Sequence, residues 1–263
     1  GRDVTTLPGY LYNIKYLGYR LVFANSVKRA QKILVPSEWV KNKLIETYHI
    51  NNDKIIVTYE GVDRPYLRSE KPTTNSHKLL SKYNLTEPFL IYTGSAYPHK
   101  NLKVLLQAVR ILNSDKDFLY SSNLSNSLGI NSVRSSRPSA SNNNIQLLIA
   151  CSRDVFLEKL KDLVKEINIE KQVRLPGFVS DSELKQLYQN ALAFVFPSLS
   201  EGFGLPGLEA MASGCPVLCS DIPVFHEIYQ DAVLYFNPKE ASDIAKKIES
   251  VAKSPERRNE LVK

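Results

Sequence analysis

The chain has 263 residues, 43% of them hydrophobic, enough for one large domain or two modest ones with their own cores. No run approaches the roughly 18 consecutive apolar residues of a membrane helix, and Gly1-Arg-Asp-Val4 lacks the pattern of a secretory leader, so the expected compartment is the cytoplasm. A net charge of +7 fits either an anionic partner or scattered solvated lysines. It comes without the clustered basic and aromatic residues of a nucleic-acid reader, and the three irregular cysteines exclude a disulfide framework.

The chain starts without methionine, and its first forty residues read as the middle of a longer protein. A helix-like stretch at 22–30 and a short strand at 33–35 lead to a helix capped by Ser37, with Val40, Leu44, Ile45 and Tyr48 on one face. A strand at 54–58 ends in Gly61-Val-Asp63. Residues 63–87, with Pro65, Pro72 and a Ser/Thr/Asn cluster, read as a linker.

From residue 88 to the end, short β-branched strands alternate with amphipathic helices. The strands fall at 89–93, 145–149, 172–175, 193–196, 216–219 and 232–235. Helices fall between them at 101–112, 155–168, 182–190, 206–213 and 240–252. This alternation predicts an α/β fold, a Rossmann-like doubly wound parallel sheet. Residues 114–144 are rich in serine and asparagine and poor in apolar residues, which predicts a disordered insertion. Its Asp115-Lys-Asp117 resembles a metal-binding pair, but a floppy loop does not hold the geometry a divalent ion demands, so no metal is expected. Cys151, Cys215 and Cys219 have no histidine beside them and are read as reduced and buried.

In open parallel sheets ligands bind at the loops leaving the carboxyl ends of strands, and three such loops carry chemistry. In Pro197-Ser-Leu-Ser-Glu-Gly-Phe-Gly-Leu-Pro206, Gly202 and Gly204 let the backbone approach a ligand, and Pro206 suits the first position of a helix whose amides face an anion. Glu201 precedes that helix and Glu209 lies about one turn into it. Two carboxylates so placed either grip one ligand, such as a ribose diol and a sugar, or are merely solvated. In Gly94-Ser-Ala-Tyr-Pro-His-Lys-Asn101, Lys100 stands before a helix where it can neutralise phosphate, with His99 as a second donor. Pro176-Gly-Phe-Val-Ser180 offers Phe178 and Val179 to a base, or is a simple turn capped by Ser180 or Asp181. His226 and Glu227, on the helix after Asp221-Ile-Pro223, could face the same crevice.

Taken in order, Gly94 with Lys100-Asn101, then Val173-Arg-Leu-Pro-Gly-Phe-Val-Ser-Asp-Ser-Glu-Leu184, then Glu201-Gly-Phe-Gly-Leu-Pro-Gly-Leu-Glu209 resemble the donor domain of retaining glycosyltransferases of family 4, which have the two-Rossmann GT-B architecture. The pair of glutamates separated by seven residues is the strongest part of the match. The resemblance runs from about residue 22 to the end. It implies that residues 1–62 are the last part of an amino-terminal acceptor domain and 88–263 a donor domain. It implies further that Glu201 contacts the donor sugar beside the amides of Phe203, Gly204 and Leu205, that Glu209 holds the ribose, and that Lys100 holds the diphosphate. Gly94, Ser95, His99, Phe178 and Val179 complete the donor site.

The implied reaction moves a hexose, such as mannose, glucose or N-acetylglucosamine, from a nucleotide sugar to a glycan or lipid-linked acceptor. It forms the new bond on the face the nucleotide leaves, with no cofactor, no metal and no nucleic acid. A peripheral contact with the inner face of a membrane would suit a lipid-linked acceptor. Two positions depart from the family. Ser95 and His99 stand in a loop where many relatives carry arginine, and Cys151 stands where they tend to have glycine. Most of the family's amino-terminal domain and its crossover helix are not recognised, so the stretch alone is expected to be a poor enzyme. A sugar-nucleotide epimerase would need a facing acid and base, which the sequence does not offer. A domain that holds a nucleotide sugar without transferring it is the other alternative.

Overall fold

In the computed structural model of the chain, which describes residues 8–67, 76–114, 145–151 and 155–262, strands and helices form two parallel sheets of unequal size. Helix α1 (Gly9–Arg29) leads into β1 (Ile33–Val35), α2 (Glu38–Tyr48) and β2 (Ile55–Val57). β1 and β2 pair in parallel with Ile33 opposite Ile55, and Val27, Val35, Ile50 and Ile55 form a small core. Ser37 caps α2 as expected, its hydroxyl accepting the Val40 N–H at 3.2 Å.

The larger unit begins with α3 (Ser76–Lys82) and continues through β3 (Phe89–Thr93), α4 (Leu102–Ser114), β4 (Gln146–Ala150), α5 (Val155–Glu166), β5 (Val173–Gly177) and α6 (Asp181–Asn190). It is completed by β6 (Ala193–Phe196), α7 (Leu205–Ala212), β7 (Val217–Ser220), α8 (Pro223–Tyr229), β8 (Leu234–Phe236), α9 (Ala241–Lys253) and α10 (Pro255–Glu260). Its six strands lie in the order β5-β4-β3-β6-β7-β8, all parallel, which is the doubly wound sheet the alternation predicts. Every residue of β4, β6 and β7 is buried, as a parallel sheet covered on both faces requires. Pro176 lies in the edge strand β5, in the stretch between Arg174 and Gly177 where the register against β4 shifts, a place where a missing N–H is tolerated.

Several boundaries differ from the sequence reading, each for a local reason. Pro216 stays outside β7, although its carbonyl accepts the Phe194 N–H at 2.9 Å. Ala232 belongs to a turn closed onto the Tyr229 carbonyl, so β8 starts later. Helix α1 is far longer than the stretch at 22–30, because its apolar residues fall on all sides rather than in the stripe that marks a surface helix. Within the stretch read as a linker, Tyr66, Leu79, Leu80 and Leu85 are buried in the large core. Ser114 closes α4; residues 115–144, including Asp115-Lys-Asp117, lie outside the described residues. All three cysteines are buried and none forms a disulfide.

Strand order reverses direction between β3 and β6, so the crossovers on either side leave the sheet in opposite senses and open a crevice at the carboxyl ends of these two strands. The loops leaving that point are 94–101 and 197–204.

Candidate functional site

The two loops at the switch point are tied together by backbone and side chain. The Leu199 N–H donates to the His99 carbonyl at 2.8 Å. Asn101 takes a left-handed conformation (φ 59°) at the end of the short turn Pro98–Lys100, and its buried side-chain amide donates to the carbonyls of Pro197 at 3.0 Å and Pro238 at 2.7 Å. Asparagine tolerates this φ better than most residues, and it alone supplies both the turn and the bridge.

That clamp brings Lys100 and Glu201 into contact, with Nζ 2.6 Å from Oε1. The side chains are only 17% and 12% exposed, so solvent screens the pair weakly. The ammonium also lies 5.7 Å from the centre of the Phe196 ring, at the end of β6. The sequence pointed to both residues, but not to their pairing. His99 packs flat against Tyr97, and burial, followed by the Lys100 ammonium, lowers its pKa. Ser95 offers its carbonyl to the Tyr92 hydroxyl at 2.8 Å, and Gly94 holds φ 133° with its N–H on the Ala150 carbonyl.

Helix α7 starts one residue earlier than expected. Gly204 is its left-handed cap (φ 111°), Leu205 is the first helical residue, and Pro206 the second, where its missing N–H is equally harmless. A glycine is required at 204: a Cβ there would collide with the Tyr229 hydroxyl and the Phe225 ring. Gly207 faces the same hydroxyl. The buried Tyr229 in turn donates to the Gly204 carbonyl. It ends a run of packed rings, Phe194, Phe196, Phe225 and Tyr229, with centroids 5.0 to 5.3 Å apart. No side chain caps the start of α7; Pro206 has no N–H to offer and the Gly207 N–H donates to the Gly204 carbonyl at 3.0 Å, so the amides of Gly204 and Leu205 are the backbone donors this turn can present.

Glu209 is partly buried on α7 and belongs to a different neighbourhood from Glu201. Burial, then the charges of Asp181 and Asp63, pushes its carboxyl up to about 7. The Tyr66 hydroxyl donates to Asp181 Oδ1 at 3.1 Å, and the Glu209 charge acts on that phenol as well. Glu209 therefore faces the loop after β5, where Phe178 is 81% exposed while Val179 is buried. Ser180 takes the N-cap position of α6, but its hydroxyl donates to Glu183 Oε2 instead of capping an amide. Phe203 is buried with its ring 6.2 Å from Tyr59. His226 binds Asp221 Oδ1 at 2.6 Å and stacks on Tyr235. Glu227 turns away to the small unit, where both its oxygens accept amides of α2. Among the described residues no three His, Cys, Asp or Glu side chains gather as a metal site would require.

The sequence model of the family described as "Glycosyl transferases group 1" matches residues 78–263, the span that holds the six-stranded sheet and all three loops. The chain belongs to the glycosyl transferases group 1 family. It is 28% identical over 243 residues to the O-antigen chain mannosyltransferase RfbU of Salmonella typhimurium, covering 92% of this chain and 57% of that protein. To O-antigen chain mannosyltransferase B of Escherichia coli it is 30% identical over 221 residues, covering 84% of this chain and 51% of that one. It thus spans about half the length of these curated relatives. Among solved structures, Anabaena HepE in complex with UDP and glucose superposes with a TM-score of 0.71 at 17% identity, covering 92% of this chain and 59% of that one. The fold shared with such neighbours is GT-B.

The residues that the sequence reading missed act through others. Asn101 carried a legible signal, an asparagine at a turn before a helix. Tyr229, Tyr66, Asp63 and Asp181 reach the site only through the tertiary fold.

Proposed function

We propose that the chain is the donor-handling part of a mannosyltransferase that builds a surface polysaccharide, holding a nucleotide-linked mannose in the crevice between β3 and β6. The observation that carries this reading is the Lys100–Glu201 pair, clamped at the topological switch point beside an uncapped helix start. The mannosyltransferases similar to this chain support the choice of sugar. Lys100 and the amides at Gly204 and Leu205 take the diphosphate, Glu201 takes the sugar hydroxyls, and Glu209 accepts from the ribose diol with the base towards Phe178.

In the transfer, the bond from the anomeric carbon to the diphosphate oxygen breaks and its electron pair leaves on the diphosphate. The acceptor hydroxyl oxygen bonds to that carbon, and its proton passes to the departing diphosphate. Configuration is retained, as the resemblance implies. Lys100 and the helix start neutralise the developing anion, a task for which one well-placed donor contributes about 3 to 4 kcal/mol. No metal takes part in this reading. The acceptor is a glycan or a lipid-linked glycan. It meets the protein on the side of the small unit and, for a lipid-linked substrate, at the membrane surface; no helix among the described residues is long and apolar enough to cross a membrane. Because the chain spans about half of its curated relatives, holding the donor is its own capacity and efficient transfer draws on further acceptor-side structure.

Calorimetric titration with nucleotide-linked mannose, glucose and N-acetylglucosamine, each with and without EDTA, tests this reading. The mannose donor should bind most tightly and EDTA should change nothing. Preference for another sugar, or affinity lost to the chelator, would overturn it.

A further inference from the structure

The small unit touches the large one at the turn that carries Glu201. Ser37, wholly buried, donates its hydroxyl to the Gly202 carbonyl at 2.7 Å while accepting the Val40 N–H. One hydroxyl thus caps α2 and grips the residue next to Glu201. From the other side, Glu227 on α8 lays its carboxylate across the amino end of α2, accepting the Glu38 N–H at 2.7 Å on Oε1 and the Trp39 N–H at 2.9 Å on Oε2. A third donor, the Tyr59 hydroxyl, reaches Oε1 at 3.1 Å, and the Tyr59 ring packs against Phe203. Gly202 itself lies against Pro36 and Val40, with room for ordinary van der Waals contact and little more.

A helix start leaves its first amides without partners, and a carboxylate there is favoured by both hydrogen bonding and the helix dipole. Ser37 meets part of this need locally at the Val40 N–H, while the Glu38 and Trp39 amides are met by Glu227, from a helix nearly 190 residues later in sequence. The result is a joint that fixes α2 against α8 and against the turn at Gly202 and Phe203. Glu201, the next residue along, has one tether on the Lys100 side and this one on the other.

We propose that Ser37 and Glu227 are positioning residues: by locking α2 to the Gly202–Phe203 turn they set the Glu201 carboxylate for the sugar of the donor. This rests on the donor reading above. Among the described residues no hydrogen bond joins Glu209 or the loop after β5, the nucleotide end of the site, to Ser37 or Glu227. Loosening the joint therefore costs affinity for the sugar moiety and spares the nucleotide.

Titration of wild type, Ser37→Ala and Glu227→Gln with GDP and with GDP-mannose tests it. In both variants GDP-mannose should bind about three- to tenfold more weakly, the scale of one lost hydrogen bond, with GDP affinity within about twofold of wild type under the same principle. Equal weakening of both ligands marks a merely structural role and overturns the inference, as does an unchanged ratio. A wild-type chain that binds neither ligand overturns the donor reading itself, an outcome distinct from a wild type that binds both and variants that keep its ratio.

Discussion

At the scale of single residues, the proposed function divides the work among three charged groups. Lys100 and Glu201 neutralise one another in the free protein, so a diphosphate must compete with the carboxylate for the ammonium. Glu201→Gln removes the competitor and should tighten bare GDP or UDP several-fold while weakening the nucleotide sugar, which calorimetry reads directly. Lys100→Ala should lower donor turnover about 10²- to 10³-fold in steady-state assays, the cost of removing one donor to a developing anion. Glu209 gives a pH signature. Its folded-state value near 7 lies above the ordinary 4.5, so the folded chain holds this proton where the unfolded chain has lost it. Its contribution to stability falls as pH rises from 4.5 to about 7. The proposed function gives binding the opposite trend, because in it two ribose hydroxyls donate to the ionised Glu209. Affinity for a nucleotide sugar, whose phosphates have no titration in this range, should rise from pH 6 to 8, and Glu209→Gln should abolish the rise.

At the scale of elements, the site rests on how α7 begins. The left-handed Gly204 and its contact with Tyr229 leave no room for a Cβ, so Gly204→Ala should destabilise by about 1 to 3 kcal/mol, the usual penalty of overpacking. Thermal denaturation would show this as a drop of several degrees. β3 and β6 were legible to the residue, since aromatic and β-branched runs buried on both faces leave a continuous apolar signature. The loop glycines and the glutamate pair were legible as types. Helix α1 was not: with apolar residues on every side, it lacks the periodicity that announces a surface helix. The start of α7 was misread by one residue, because proline is acceptable at either of two helical positions whose N–H groups have no partner.

At the scale of the molecule, the order β5-β4-β3-β6-β7-β8 places the glycine-lysine loop and the glutamate loop side by side across 100 residues of sequence. Local patterns predict each loop, and only the topology predicts their meeting. The long-range contacts were illegible for the same reason: Ser37 to Gly202, Glu227 to α2 and Tyr229 to Gly204 join residues whose local sequence signals other tasks. The central claim is that this crevice holds a nucleotide through Glu209. Titration of the wild-type chain and of Glu209→Ala with GDP and UDP tests it most directly. One of the two nucleotides should bind the wild type, and the variant should lose about tenfold or more in affinity, the scale of a charge-assisted contact. Binding of neither nucleotide, or equal affinity in the variant, would contradict it.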